Sequence, residues 1–103
     1  MQVVIADDEP ITRMDLKEIL EKEGHQVVAE AADGFDAIEC CRNCRPDLVI
    51  MDVKMPLLDG ITASKVIVEE NLAETVVLLT AYCDREFIEE AKAARVSGYF
   101  VKP

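Results

Sequence analysis

Leu48-Val49-Ile50-Met51-Asp52, running on into Val53-Lys54-Met55-Pro56 and then Asp59-Gly60, is the stretch on which the fold turns. An apolar run this short, breaking off at an acid, reads as a buried strand with a charged end, because a helix of that character needs about ten residues or more. The same texture recurs at Gln2 to Ala6, Val27 to Ala29, Val76 to Leu79 and Tyr99 to Val101. Helical spacing fills the gaps. Pro10 to Glu23 carries Thr12, Leu16, Ile19, Leu20 and Glu23 on one predicted face, starts with a first-turn proline and stops at Gly24.

A second helix is predicted from Gly34 to Arg45, after the Asp33-Gly34 turn and before Pro46, with Phe35, Ile38 and Cys41 inward. A third runs from Gly60 to Glu70. A fourth runs from Asp84, read as its N-cap, to Arg95, with Phe87, Ile88 and Ala91 inward. Five strands alternating with four helices predict an α/β fold with a doubly wound parallel sheet joined by right-handed crossovers. The flavodoxin-like strand order 2-1-3-4-5 places a crevice at the carboxyl ends of strands one and three.

The 103 residues fit one domain, half apolar and 31% charged, within the ordinary globular range. No run approaches the roughly 20 apolar residues of a membrane span, and Val3 to Ala6 is too short for a signal peptide. The expected setting is cytoplasmic, with the four cysteines reduced and no membrane partner. A net charge of -10 argues against this domain itself gripping nucleic acid. Cys41-Arg42-Asn43-Cys44 does not make a zinc site, because no second pair of ligands completes four. Cys41 shares a helix face with Ile38 and reads as core, Cys40 and Cys44 as an outer face, and Met14, Met51 and Met55 as packing. His25, after Gly24, reads as a solvated turn residue.

Asp7 and Asp8 close the first strand, Asp52 the third, Thr80 the fourth and Lys102 the fifth. In a parallel sheet these ends share one edge. Three carboxylates brought a few ångströms apart repel by on the order of 4 kcal/mol per pair at an effective dielectric of 20. A divalent cation resolves that conflict. Mg2+ prefers oxygen ligands and bridges carboxylates to phosphate oxygens, which Thr80 and Lys102 could also hold. Asp52, central and ionised at neutral pH, is placed as a nucleophile toward phosphorus.

Taken together, Asp7-Asp8-Glu9-Pro10, Met51-Asp52-Val53-Lys54-Met55-Pro56 with Asp59-Gly60, Thr80-Ala81, and Tyr99-Phe100-Val101-Lys102-Pro103 resemble the receiver domains of two-component response regulators. The resemblance covers the whole chain. It implies a phosphorelay switch rather than a turnover enzyme, with Asp52 as phospho-acceptor. It also implies Mg2+ held by Asp8, by Asp7 through water, by Asp52 and by the Lys54 carbonyl. Thr80 and Lys102 match the phosphate-sensing pair, and Tyr99 the aromatic that swings inward on activation. The implied partner is a sensor histidine kinase, with RNA or DNA reached only through an output domain absent from this chain. Asp8-Glu9-Pro10-Ile11-Thr12-Arg13, Glu30 to Gly34 and Thr80-Ala81-Tyr82 also resemble receivers that carry an RNA-binding antitermination domain.

Residues 1–103 are therefore expected to form a receiver domain cut after strand five, without the fifth helix that this family carries. One face of strands four and five should then lie bare, leading either to a homodimer or to lower stability than a longer form. Two other chemistries fit less well. A haloacid dehalogenase-type phosphatase needs an acid two residues past the nucleophile, where Lys54 stands, and a flavin carrier would meet Asp7 and Asp8 where its phosphate must bind.

Overall fold

A computed structural model describes residues 1–81 and 85–102. The N-cap expected at Asp84 and the Tyr82 and Pro103 positions of the motifs lie outside the described residues. Five strands, β1 (Gln2–Ala6), β2 (Gln26–Ala31), β3 (Leu48–Asp52), β4 (Thr75–Thr80) and β5 (Gly98–Val101), alternate with four helices, α1 (Pro10–Lys22), α2 (Gly34–Cys44), α3 (Gly60–Glu69) and α4 (Arg85–Ala93). All strand pairs are parallel and the order is β2-β1-β3-β4-β5, as expected. Each boundary falls within two residues of the sequence reading.

Alternation along the strands builds the core. Val49 and Met51 on β3, and Val76 and Leu78 on β4, are buried in one cluster with Ala37, Ile38 and Cys41 of α2, Ala63 and Ile67 of α3, and Phe87 and Ala91 of α4. Val3 to Ala6 are buried on both sides of β1, as a central parallel strand requires. The helices are stopped and started by local chemistry. Asp33 accepts a hydrogen bond from the Asp36 N–H at 2.8 Å, and Asp59 one from the Thr62 N–H at 2.8 Å. Arg45 takes a left-handed conformation (φ 46°) to close α2 before the buried Pro46.

Three apolar expectations need correction. Phe35 is 56% exposed, because Gly34, Ala37, Ile38 and Cys41 form the inward stripe of α2 and position 35 lies about 100° from its centre. Ile19 and Met14 are also exposed, and no residue of α1 is buried. The side of α1 nearest the sheet carries Arg13 and Lys17, which pair with Glu30 of β2 at 3.4 and 4.0 Å and lie along the sheet with the half-buried Leu16 and Leu20. Cys41 is fully buried, and burial, with Cys40 and Cys44 beside it, pushes its thiol up to about 12. Cys40 and Cys44 are half-buried rather than outward. His25 is also half-buried, its Nδ1 lying 3.3 Å from the amino terminus.

Leu48, Ile50, Val77, Leu79 and Phe100 point to the other side of the sheet, where α1 covers β1 and β2 and no described element covers β4 and β5. Phe100 is 65% exposed. Covering even about 300 Å² of such a surface is worth roughly 7 kcal/mol before ordering costs, at about 25 cal/mol per Å². Residues 1–103 are expected either to self-associate through this face or to melt well below a form extended by a further helix. Sedimentation and thermal melts of both lengths check it, and a monomer at high concentration with an unchanged melt would refute it.

Candidate functional site

Register brings the chemistry to one edge. Ala6 pairs with Met51, Asp52 with Leu79 and Thr80 with Val101, so the residues that end or follow these strands converge. Asp7 follows β1 and is fully buried, its N–H bonded to the Ala31 carbonyl at 3.0 Å. Asp8 is exposed, and Asp52 is 7% exposed at the end of β3. One oxygen from each of the three lies within 4.8 Å of the others. Lys102 follows β5, held by a 2.7 Å bond from its N–H to the Thr80 carbonyl, and its ammonium donates to Asp52 at 3.0 Å and to Asp7 at 3.2 Å.

The charges explain one another. Burial pushes the Asp52 carboxyl up, and the Asp7 charge adds to this, while the Lys102 ammonium and the Lys54 N–H, 3.3 Å from Oδ1, pull the other way without cancelling it. For Lys102, burial works downward, but hydrogen bonds to Asp52 and Asp7 and their charges outweigh it and hold the ammonium above its ordinary range. One ammonium facing three carboxylates leaves an excess of negative charge. Oxygen ligands with that excess suit a hard divalent cation such as Mg2+.

Above Asp52 opens a cavity of about 440 Å³, bordered by Asp8, Lys54, Thr80 and Lys102. Of the seven expected site residues, Asp7, Asp8, Asp52 and Lys102 form the polar centre. Thr80 is buried at the cavity wall, and Lys54 is exposed at its mouth. Tyr99 stands apart, 38% exposed, with its ring edge-on to Phe87 of α4 at 5.3 Å.

Arg13 belongs to the site although its sequence position gave it no role. Its guanidinium donates to the Asp7 carbonyl at 2.6 Å and pairs with Glu30, tying α1 to the turn that presents both acids. The signal available was only a cation on the first turns of a helix that follows two acids. Arg13→Ala is expected to cost about 1–2 kcal/mol, because the partly exposed pair contributes little beyond its hydrogen bonds. Arg13→Lys should recover only part of that, since lysine lacks the forked donor that reaches both partners. Urea unfolding of the two variants measures it.

Residues 3–103 match the response regulator receiver domain family. The chain is 48% identical to the transcriptional regulatory protein PdtaR of Mycobacterium tuberculosis over 99% of its own length, and it spans about half (49%) of that protein. It is 38% identical to the chemotaxis protein CheY of Bacillus subtilis, covering 99% of this chain and 85% of that one. Among solved structures, CheY of Borrelia burgdorferi, in a complex with CheX, BeF3 and magnesium, superimposes with a TM-score of 0.92 at 28% identity, over 100% of this chain and 78% of that one.

Proposed function

Because this chain belongs to the response regulator receiver domain family, a family of signalling switches, we propose that it accepts a phosphoryl group on Asp52 in a Mg2+-dependent reaction. The phosphoryl group then carries a signal to an output domain or partner. The observation that carries this reading is the three-carboxylate cluster within 4.8 Å, with the Lys102 ammonium 3.0 Å from Asp52, at the floor of an open cavity.

Each residue has a place in that reading. Asp52, reachable from the cavity, attacks phosphorus as its carboxylate and needs no base to do so. Mg2+, when bound, neutralises the charge that develops on the phosphoryl oxygens. Asp8, exposed, and Asp52 would hold it through their carboxylates, and the Lys54 carbonyl would add a further oxygen. Asp7, buried and already bonded to Lys102 and to the Glu9 N–H, would contribute its charge and would reach the ion through water. Lys102 and Thr80 hold the phosphoryl oxygens, and Tyr99 responds when Thr80 is drawn toward them. The BeF3 and magnesium named with the Borrelia CheY complex are in keeping with such a site.

The proposed phosphodonor is a sensor histidine kinase, and the proposed output is transcription regulation or antitermination through a domain outside residues 1–103. The PdtaR likeness supports the transcriptional output. We place the protein in the cytoplasm; no helix among the described residues is long and apolar enough to cross a membrane. Incubation with Mg2+ and either acetyl phosphate or a kinase should add the mass of one phosphoryl group to the intact chain, and none without Mg2+. A chain that stays unlabelled by either donor would overturn the reading.

A further inference from the structure

The cavity over Asp52 has a wall that the reading above does not use. α4 turns Phe87 and Ala91 into the core, and the same helix sets Glu86 and Glu90, one turn apart, along the cavity that Asp52, Thr80, Lys54 and Lys102 also line. The lining therefore holds five carboxylates, Asp8, Glu9, Asp52, Glu86 and Glu90, against two ammonium groups. Three of the five stand at or just past the strand ends. Glu86 and Glu90 are exposed and make no part of the core, so packing does not account for both lying there.

We propose that Glu86 and Glu90 are specificity-determining residues that select the class of phosphodonor, disfavouring free acyl phosphates and favouring donors with a phosphorus–nitrogen bond. The proposal rests on Asp52 being the phospho-acceptor. An acyl phosphate reaches neutral pH as a dianion. A phosphoramidate or a phosphorylated imidazole, protonated on nitrogen, carries one net negative charge fewer. With the acyl donor the O–P bond breaks, the Asp52 Oδ–P bond forms and a carboxylate leaves. With the nitrogen donor the N–P bond breaks, and the nitrogen leaves with its proton as neutral ammonia or imidazole. Both end in the same aspartyl phosphate. They differ in the charge that must pass the two glutamates.

A cavity of about 440 Å³ is about as wide as a Debye length of about 8–10 Å, so the charges of the exposed Glu86 and Glu90 reach an entering anion at low salt and are screened from it as salt is raised. Clefts of one sign shift encounter rates by about 10-fold or more. The nitrogen class includes phosphohistidine carried on a protein, whose own interface supplies the binding that a small anion lacks.

The experiment compares labelling rates, in Mg2+, with acetyl phosphate and with phosphoramidate. Three proteins are used: the wild type, Glu86→Gln/Glu90→Gln, and Glu18→Gln/Glu21→Gln on the exposed side of α1, which changes net charge equally but away from the cavity. The cavity pair is expected to raise the acetyl phosphate rate about three- to tenfold at low salt, and the phosphoramidate rate only about two- to threefold, because the effect scales with the donor's charge. Both effects should shrink at about 0.5 M salt. The α1 pair should leave the ratio of the two rates unchanged. A labelled wild type whose donor ratio is the same in the cavity pair overturns this proposal alone. A wild type that neither donor labels overturns the Asp52 reading, and this one with it.

Discussion

Asp52→Asn is expected to abolish phosphoryl incorporation while leaving the fold intact. The amide is the same shape, but its single oxygen can accept from only one of the two donors, Lys102 Nζ, 3.0 Å from Oδ2, or the Lys54 N–H, 3.3 Å from Oδ1, so one of these hydrogen bonds is lost. What it loses is the nucleophilic charge of the proposed reading, and no neighbour is expected to supply a replacement: Asp7 is fully buried and bonded to Lys102, and Asp8 is the residue proposed to hold the cation. Asp8→Asn should instead slow labelling and raise the Mg2+ concentration it requires, because the nucleophile survives and one ligand charge is gone. The two variants should also differ from a merely unfolded protein in their melts.

Burial raises the folded pKa of Asp52 above its ordinary value of 3.8, so the folded state holds that proton more tightly than the unfolded one. Its contribution to stability is present below the unfolded pKa and lost as pH rises through the folded value. Stability should therefore fall as pH rises from the unfolded pKa through the folded one, and Asp52→Asn should show less of that fall than the wild type. Intact mass and thermal melts read both effects. Undiminished labelling of Asp52→Asn would defeat the mechanism.

The convergence of Asp7, Asp8, Asp52, Thr80 and Lys102 was legible because it needs only two facts, where each apolar run stops and that all strands run parallel. Register then does the rest, as the Asp52 with Leu79 and Thr80 with Val101 pairs show. Helix faces were less legible. The apolar spacing of α1 pointed to Ile19, yet Arg13 and Lys17 take places beside the sheet by laying their stems along it and pairing with Glu30. Hydropathy cannot anticipate that, because the ionic partner lies on another strand. Phe35 failed for a simpler reason, since small Ala37 and Gly34 outrank it where α2 approaches closely. Glu86 and Glu90 read as ordinary solvated acids until the rotation of α4 about its axis is known.

Gly60→Ala, together with Gly34→Ala, where a Cβ would sit 2.7 Å from Leu58 Cβ and 2.8 Å from the Leu58 carbonyl carbon, is expected to damage this protein most among its glycines. A Cβ built on Gly60 would sit 2.9 Å from the Asp52 carbonyl carbon, 3.1 Å from the Val53 Cα and closer still to the Asp52 carbonyl oxygen. All three are backbone atoms, so no side chain can swing away. The turn has little slack, since Gly60 N–H already bonds the Val53 carbonyl at 2.8 Å, Asp59 caps α3, and Leu57 holds a left-handed φ of 69°. Relief must therefore come from moving α3 off the core or bending the end of β3, which carries the Asp52 side chain. A loss of about 3 kcal/mol or more is expected, with labelling slowed in whatever remains folded. Two other glycines give the scale. Gly24→Ala meets nothing within 4 Å but must adopt φ +87°, which should cost about 1 kcal/mol. Gly98→Ala meets neither obstacle and, in a strand, should be neutral or slightly stabilising, by up to about 0.5–1 kcal/mol. Urea midpoints of the three variants test the order. A Gly60→Ala protein as stable as Gly98→Ala would mean that the Asp59-Gly60 turn does not press against Asp52 at all, and that the nucleophile is positioned by β3 alone.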